Sequence, residues 1–116
     1  MQRLLALDLK DDPVLIAAYE EHHRAVWPEV LAHLAHHGVT AMTIHRLGCR
    51  MVMTMTTDDA VFDAARFAEA TASDPVMARW EVLMWTFQAP TPWTPAGQKW
   101  MPMDCIFNWA ARGFTT

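Results

Sequence analysis

A proline interrupts the longest helical pattern of the chain and constrains its fold more than any other residue. Residues 13–37 carry apolar side chains at helical spacing, and Pro28 lies within this stretch. Proline lacks a backbone N–H and its ring clashes with the carbonyl group one turn earlier, so we expect the helix to bend or break there. Tyr19, His23 and Trp27 are spaced four residues apart, which predicts that they share one face. The pattern therefore predicts a bent helix that directs a histidine and two aromatic rings into one pocket.

The other periodic segments predict an alternation of strands and helices. They are, in chain order, a strand at 3–10, the bent helix at 13–37, strands at 39–46 and 49–57, helices at 58–73 and 75–87, and a last strand at 103–109. Leu47-Gly48 predicts the turn of a hairpin, and the proline-rich stretch 88–102 predicts a long irregular loop. This order is that of an α+β, ferredoxin-like split βαβ fold, with a four-stranded antiparallel sheet and helices on one face. We expect one domain spanning residues 1–116.

Short sequence signals mark the ends of the predicted helices. Asp12-Pro13 and Asp74-Pro75 each place an N-cap residue before a proline at the first helical position. Gly38 predicts the end of the bent helix, and Asp58-Asp59 predicts the start of the helix that follows the hairpin.

Large apolar side chains are concentrated in two parts of the chain and predict a homodimer. Five of the six tryptophans lie in the last third, and Met51, Met53 and Met55 alternate along the second hairpin strand. We expect these Met-rich and Trp-rich strands to lie on the sheet face that the helices leave uncovered. Exposed apolar faces of that size are usually buried by a partner, so we expect two copies to pack through their sheets as a dimeric α/β barrel.

The composition argues against several classes of partner. A net charge of −4 without a basic run argues against nucleic acid, and no apolar run approaches the length of a membrane span. Cys49 and Cys105 are far apart and in no metal or redox spacing, and the N-terminus lacks the cleavage site of a signal peptide. We therefore expect a cytoplasmic protein with reduced thiols.

His23 is the strongest candidate for acid–base chemistry, since histidine is the side chain that titrates nearest to neutral pH. The alternative is a structural helix histidine; the helix break and the flanking aromatic rings favour the catalytic role. The chain lacks a nucleophile elbow, a glycine-rich phosphate loop and a Cys–His pair, which argues against nucleotide cofactors and covalent acyl transfer. The candidate carboxylates for the same pocket are Asp8, Glu29, Glu81 and Asp104. Such a pocket suits proton transfer on a polar, uncharged small molecule.

Two further histidines have the spacing of metal ligands. His33 and His37 are four residues apart on one helix face, but no third ligand lies nearby. We expect them to interact with the dipole at the end of the helix, and we expect no metal and no organic cofactor.

The chain resembles the L-rhamnose mutarotase family over almost its whole length. The specific match is Tyr19-x3-His23-x2-Val26-Trp27-Pro28-Glu29-Val30, and weaker matches are Gly38 before the hairpin, Arg79-Trp80 and Ile106-Phe107. The resemblance implies a dimeric, ferredoxin-like enzyme that interconverts the α and β anomers of a 6-deoxyhexose without a cofactor. It also implies that His23 is the proton donor and that Tyr19 binds the sugar.

Two positions depart from the pattern of the rhamnose-acting members. Met42 stands where they have tyrosine, and Trp80-Glu81 replaces a Trp-Trp pair. The exchange removes an aromatic wall and a hydroxyl, and it adds a carboxylate that accepts hydrogen bonds from sugar hydroxyls. The runs Leu83-Met84-Trp85, Gln98-Lys99-Trp100-Met101 and Met103-Asp104-x-Ile106-Phe107 resemble a branch of the family associated with L-fucose metabolism. We therefore expect L-fucose as the first substrate and L-rhamnose as the second. The expected sugar-binding residues are Tyr19, Trp27, Met42, Trp80 and Glu81.

Two other functions are compatible with the predicted architecture. Haem-degrading and quinone-forming monooxygenases share the dimeric sheet-to-sheet arrangement, and His23 would then be an axial ligand. A sugar-binding dimer without turnover is the second alternative, with His23 in a structural role.

Overall fold

A computed structural model describes residues 1–110 of the chain. Its elements are β1 (Gln2–Leu9), α1 (Pro13–Arg24), α2 (Pro28–His36), β2 (Val39–Leu47), β3 (Arg50–Thr57), α3 (Ala64–Ser73), α4 (Pro75–Trp85), β4 (Gln88–Ala89) and β5 (Met101–Pro102). The strands are hydrogen-bonded in the order β2-β3-β1-β4, and β5 pairs with β1 on the same edge as β4. All of these pairs are antiparallel. The predicted ferredoxin-like α+β fold is therefore confirmed, but the sheet has five strands where four were predicted.

The helix ends follow the predicted capping signals in three of four places. Asp12 accepts hydrogen bonds from the first-turn amides of α1, and Asp74 does the same for α4. Gly38 follows α2 with a φ of +89°, a conformation that side chains with a Cβ rarely adopt. The predicted start at residue 58 is wrong, because Asp58 accepts from the amide of Ala60 and closes a turn instead. Asp63 caps α3 by accepting from the amide of Arg66.

The break at Pro28 is confirmed. Helix α1 ends at Arg24 and α2 begins at Pro28, so that three residues between them are not helical. Trp27 lies in this connection as the residue before α2. It therefore does not continue the helical face of Tyr19 and His23, as the spacing had predicted.

The C-terminal part of the sheet differs from the prediction. Gln88–Ala89 and Met101–Pro102 form short strands on β1, whereas the predicted strand at 103–109 is wrong. The amide of Met103 still donates to the carbonyl of Leu4, at 2.9 Å, and the chain then leaves the edge of β1. A strand needs a neighbouring backbone, and residues 104–110 have none within the described part of the chain. Their apolar side chains are exposed, namely Ile106, Phe107 and Trp109.

The core lies between the sheet and the helices. Leu7 pairs with Met51 and Leu5 pairs with Met53, so these side chains point to the same face, which packs against the helices. The expectation that the Met-rich strand lies on the uncovered face is therefore wrong. The opposite face carries side chains such as Leu4 and Val52, which are exposed or half-buried. None of the helices of residues 1–110 is long and apolar enough to cross a membrane.

Candidate active site

A cavity of about 610 Å³ lies between the inner face of the sheet and the helices. Its size is within the range of small-molecule sites. Methionine and other apolar side chains from β1, β2, β3 and α4 form most of its wall, including Met42, Met53 and Met55. The polar side chains of the lining are Tyr19, Glu20, His23, Arg24, Thr71, Glu81 and Gln88. An apolar wall with a few converging polar groups is typical of a site that orients a small polar molecule.

His23 lies on this lining with one ring nitrogen already bound. Its Nδ1 is 2.9 Å from the backbone carbonyl oxygen of Tyr19, one turn earlier in α1. A carbonyl oxygen can only accept, so Nδ1 carries the hydrogen and donates. The contact fixes the orientation of the ring and the tautomer, and it leaves Nε2 as the nitrogen available for proton transfer.

Tyr19 packs against the imidazole and is almost entirely buried, with 4% of its surface exposed. The two ring centroids are 4.3 Å apart. Burial raises the pKa of the Tyr19 phenol; a hydrogen bond from Gln88 opposes the rise and the negative charge of Glu81 adds to it. The phenol therefore keeps its proton at neutral pH and can donate a hydrogen bond.

Two indole rings complete the aromatic part of the site. Trp80 is buried on α4, with its ring centroid 5.8 Å from that of His23, and it lines the cavity. Trp27 lies 5.0 Å from Trp80, edge to face, but is not part of the lining. The structure thus brings Trp27 to the site as a support for Trp80, while Trp80 presents the surface on which a ligand ring can lie.

Glu81 lines the cavity and is also part of an ion pair. Its Oε2 is 2.9 Å from Nζ of Lys99, in the segment that precedes β5. The ammonium group also lies 5.0 Å from the ring centroid of Trp85. The next residue, Trp100, lines the cavity. This pair therefore ties the segment before β5 to α4 at the edge of the cavity.

The other candidate carboxylates lie outside the cavity. Asp8 receives two hydrogen bonds from Arg50, at 2.9 and 3.1 Å, on the opposite face of the sheet. Glu29 and Asp104 are exposed. Of the four carboxylates proposed from the sequence, Glu81 alone lines the cavity. Glu20 was missed; it lines the cavity and pairs with Arg46.

The histidines at the end of α2 lie in a contact between two helices. The rings of His33 and His37 are 4.7 Å apart, and Nε2 of His33 is 3.0 Å from the hydroxyl oxygen of Thr71 on α3. Within residues 1–110 no group of three or more His, Cys, Asp or Glu side chains is arranged to hold a metal ion. These histidines instead belong to the contact between α2 and α3, where Phe67 packs on both rings.

Sequence reasoning also missed Gln88, whose amide Nε2 donates to the Tyr19 phenol oxygen at 3.3 Å. The two residues are 69 positions apart. The local signal around Gln88 was that of a proline-rich loop, so the sequence pattern offered nothing to connect it with Tyr19.

Comparisons with known proteins assign the chain to a family. The family model described as L-rhamnose mutarotase matches residues 3–109. A protein of Xanthomonas campestris pv. campestris named L-fucose mutarotase is 46% identical over 110 residues, which cover 92% of this chain and 87% of that protein.

Two solved structures share the fold. The L-rhamnose mutarotase of Formosa agariphila matches with a TM-score of 0.68 and 16% identity, covering 95% of this chain and 99% of that one. Tetracenomycin F2 cyclase of Streptomyces glaucescens, a type-II polyketide cyclase, matches with a TM-score of 0.57 and 19% identity, covering 96% and 98%. Since these two enzymes have different chemistries, the structural likeness supports the fold alone.

Proposed function

This chain belongs to the L-rhamnose mutarotase family, and from that premise we propose that it exchanges the α and β anomers of L-fucose, with L-rhamnose as its second substrate, by acid–base catalysis at His23. The family and the named relative make it an isomerase that acts at an anomeric carbon. They give no support to the monooxygenase or to the non-catalytic sugar-binding dimer.

The observation that carries the proposal is the position of His23. Its ring lies on the lining of a largely apolar cavity, is held through Nδ1 by the carbonyl of Tyr19, and has Nε2 without a partner among residues 1–110. A histidine that only filled space would not need a fixed tautomer beside a cavity of this size. The arrangement is that of a positioned acid–base group.

Ring opening of a hemiacetal sugar requires two proton transfers. The C1–O5 bond breaks as the ring oxygen gains a proton and the anomeric hydroxyl loses one, and rotation about C1–C2 followed by reclosure gives the other anomer. His23, protonated on both nitrogens, donates from Nε2 to the ring oxygen and regains the proton on reclosure. Glu20 and Glu81 are the carboxylates of the lining that can accept the anomeric proton and return it to the C1 oxygen on reclosure. Each transfer by a positioned group contributes roughly 10²–10⁴-fold.

The walls of the cavity suit a deoxy sugar. The face of Trp80 is placed to stack on the C–H side of a pyranose ring. Met42, Met53 and Met55 supply an adaptable apolar surface for a methyl group such as C6 of a 6-deoxyhexose. The carboxylate of Glu81 and the phenol of Tyr19 are two polar groups of the lining that can form hydrogen bonds with sugar hydroxyls.

Anomer exchange measured by saturation-transfer NMR tests the function directly. With the same protein preparation, we expect exchange of L-fucose anomers well above the uncatalysed rate, and slower exchange of L-rhamnose by about one to two powers of ten. The two sugars differ in hydroxyl orientation at C2 and C4, so a pocket built for one leaves a polar group of the other unpaired. Tenfold faster exchange of L-rhamnose would overturn the preference and leave the mutarotase activity standing. No acceleration with either sugar would overturn both.

A further inference from the structure

Gln88 occupies an unusual place for an amide side chain. It lies on β4, opposite Leu9 of β1, with 4% of its surface exposed, and it lines the cavity. Neighbouring side chains of the same wall are apolar, Met84 and Trp100 among them. A leucine or methionine of similar volume would fill the space without bringing a polar group into it. The amide therefore calls for an explanation other than packing.

The hydrogen bonds of this amide are incomplete. Nε2 donates to the phenol oxygen of Tyr19, whereas the buried Oε1 has no donor among the described residues. A buried carbonyl oxygen without a donor is unfavourable, and such groups are rare in native structures. Oε1 itself is shielded from solvent, so a ligand in the cavity that the side chain lines supplies the donor once the amide turns towards it.

The bond from Gln88 also determines what Tyr19 can do. The phenol oxygen accepts from Nε2, so the phenol O–H is left to donate to another group. Tyr19 lines the same cavity, beside His23. Gln88 and Tyr19 together thus offer one acceptor and one donor to a ligand.

We propose that Gln88 is a substrate-binding residue that selects the sugar: its Oε1 accepts a hydrogen bond from one ring hydroxyl, while its Nε2 holds Tyr19 so that the phenol donates to a neighbouring sugar oxygen. The pair therefore contacts two vicinal oxygens of the ring. One donates its hydroxyl hydrogen to Gln88, and the other accepts a hydrogen bond from Tyr19. The proposal rests on the proposed mutarotase function and adds to it the residue that recognises the hydroxyl pattern.

The test combines Gln88→Leu with a set of L-fucose analogues that each lack one ring hydroxyl. In the wild-type enzyme, removing the hydroxyl that Gln88 binds should slow anomer exchange by about 5- to 100-fold. With L-fucose, Gln88→Leu should exchange anomers more slowly than the wild type by a similar factor. With the analogue that lacks this hydroxyl, Gln88→Leu should be only slightly slower than it is with L-fucose. The analogue that lacks the oxygen bound by Tyr19 should also lose less in Gln88→Leu than in the wild type, because Gln88 holds Tyr19. The remaining analogues should slow both enzymes by the same factor. Such non-additivity, confined to the hydroxyls bound by Gln88 and Tyr19, identifies the contacts.

A second measurement follows Tyr19, the only tyrosine of the chain. Labelling the Cζ carbon of tyrosine with ¹³C gives one resonance that reports on the phenol. L-Fucose should shift this resonance in the wild type and shift it less in Gln88→Leu. Without sugar, Gln88→Leu should raise the pKa of Tyr19 further, because the lost bond lowers it. Gln88→Glu keeps an acceptor, but Tyr19 then donates its hydrogen to the carboxylate and cannot donate to the sugar. This variant should therefore exchange the anomers of every sugar slowly.

Thr91→Val is the matched control, because Thr91 is a buried polar residue of the same segment that is not part of the cavity lining. It should keep wild-type exchange and the sugar-induced shift of Tyr19. The proposal is overturned if Gln88→Leu exchanges L-fucose like the wild type, or if its loss is additive with every missing hydroxyl. A wild-type enzyme that exchanges no sugar contradicts the proposed function instead. In that case, comparing the sugar-induced ¹³C shift of Tyr19 in the wild type and in Gln88→Leu still tests whether Gln88 positions the phenol.

Discussion

At the scale of single residues, the imidazole of His23 differs from its neighbour His22 in one respect that matters for chemistry. His23 lines the cavity, whereas His22 packs 5.5 Å from the ring of Phe87 and is not part of the lining. The pair therefore offers a matched comparison of two adjacent, half-buried histidines on one helix.

We predict that His23→Ala slows L-fucose anomer exchange by roughly 10²-fold or more, since it removes one acid–base group. His22→Ala should retain most of the activity, and both variants should keep the far-UV circular dichroism of the wild type. NMR exchange rates at saturating sugar measure the effect. A folded and fully active His23→Ala enzyme would contradict the assignment.

The carboxylate of Glu81 was expected to act on the sugar by itself, and the structure adds Lys99 as its partner. Both side chains are partly exposed, so removing the pair should change the free energy of unfolding by less than about 1 kcal/mol. Its effect on activity is different, because Lys99 holds the carboxylate at the edge of the cavity.

We predict that Lys99→Met and Glu81→Gln slow L-fucose exchange by similar factors, and that the double variant is no slower than either single one. Lys10→Met serves as the control, since exposed Lys10 donates to the carbonyl of Thr86 and is not part of the cavity lining. Exchange rates and urea unfolding of all four proteins provide the comparison. Additive losses in the double variant would show that the two residues act independently.

The sugar preference can be tested at the same position. Glu81→Trp restores the Trp-Trp pair of the rhamnose-acting pattern and removes the carboxylate. We predict that the ratio of L-fucose to L-rhamnose exchange rates falls by about tenfold. An unchanged ratio would mean that Glu81 does not set the preference, even if L-fucose is the better substrate.

At the scale of elements, the contact between α2 and α3 contains a group that titrates differently in the folded protein. The pKa of His33 is lowered, first by burial and then by the charge of His37; Asp74 opposes the shift, and His36 adds a smaller contribution in the same direction as His37. The hydroxyl of Thr71 donates to the carbonyl of Phe67, so it accepts from Nε2 of His33. Both the neutral and the protonated imidazole can donate this bond, so burial is what favours the neutral form.

Because the pKa of His33 is lower in the folded protein, the unfolded chain binds the proton more readily than the folded protein does. The stability that His33 contributes is therefore present above its ordinary pKa of about 6.5 and is lost as the pH falls below that value. We predict that His33→Asn loses less free energy of unfolding than the wild type between pH 7.5 and 5.5. Urea unfolding at the two pH values measures this. His36→Asn, which removes only the smallest contribution to the shift, should stay closer to the wild type than His33→Asn does. Equal losses in wild type and His33→Asn would contradict the prediction.

At the scale of the whole molecule, two surfaces expose apolar side chains. One is the sheet face opposite the helices, where Leu4 is 42% exposed; the other is the segment after β5, where Ile106 is 95% exposed. Thr43 and Thr54 lie on the same sheet face as Leu4, so that face is mixed in character. After β5, by contrast, Ile106, Phe107 and Trp109 are all exposed. Exposed apolar surface of this kind marks a protein–protein contact. The homodimer expected from the sequence remains a prediction. The surface that supports it is not the Met-rich face, which is buried against the helices.

We predict a species of twice the 13.2 kDa chain mass in sedimentation equilibrium at micromolar concentration, with at least roughly 1,200 Å² buried in total. Leu4→Glu should shift the protein towards the monomer, because it places a charge on the sheet face. Val14→Glu, at an exposed apolar position on α1, should not. A wild-type protein of 13.2 kDa would contradict the dimer, and an unaffected Leu4→Glu dimer would contradict packing through the sheet.

The sequence by itself determined the features that depend on near neighbours. The break at Pro28, the caps at Asp12 and Asp74 and the hairpin turn were predictable because each follows from a clash or a hydrogen bond within a few residues. The proximity of Tyr19 and His23 was predictable for the same reason, since four residues are one helical turn. The fold class followed from the order of these local elements.

Only the tertiary structure decided which distant groups meet. It placed Gln88 against Tyr19 and Lys99 against Glu81, and it turned Met51 towards the helices. It also ended the C-terminal pairing at residue 102. The physical reason is that a strand has two equivalent faces and two unpaired edges until it packs against a helix layer and pairs with neighbouring strands. Local spacing cannot make that choice, which depends on backbone partners far away in the chain.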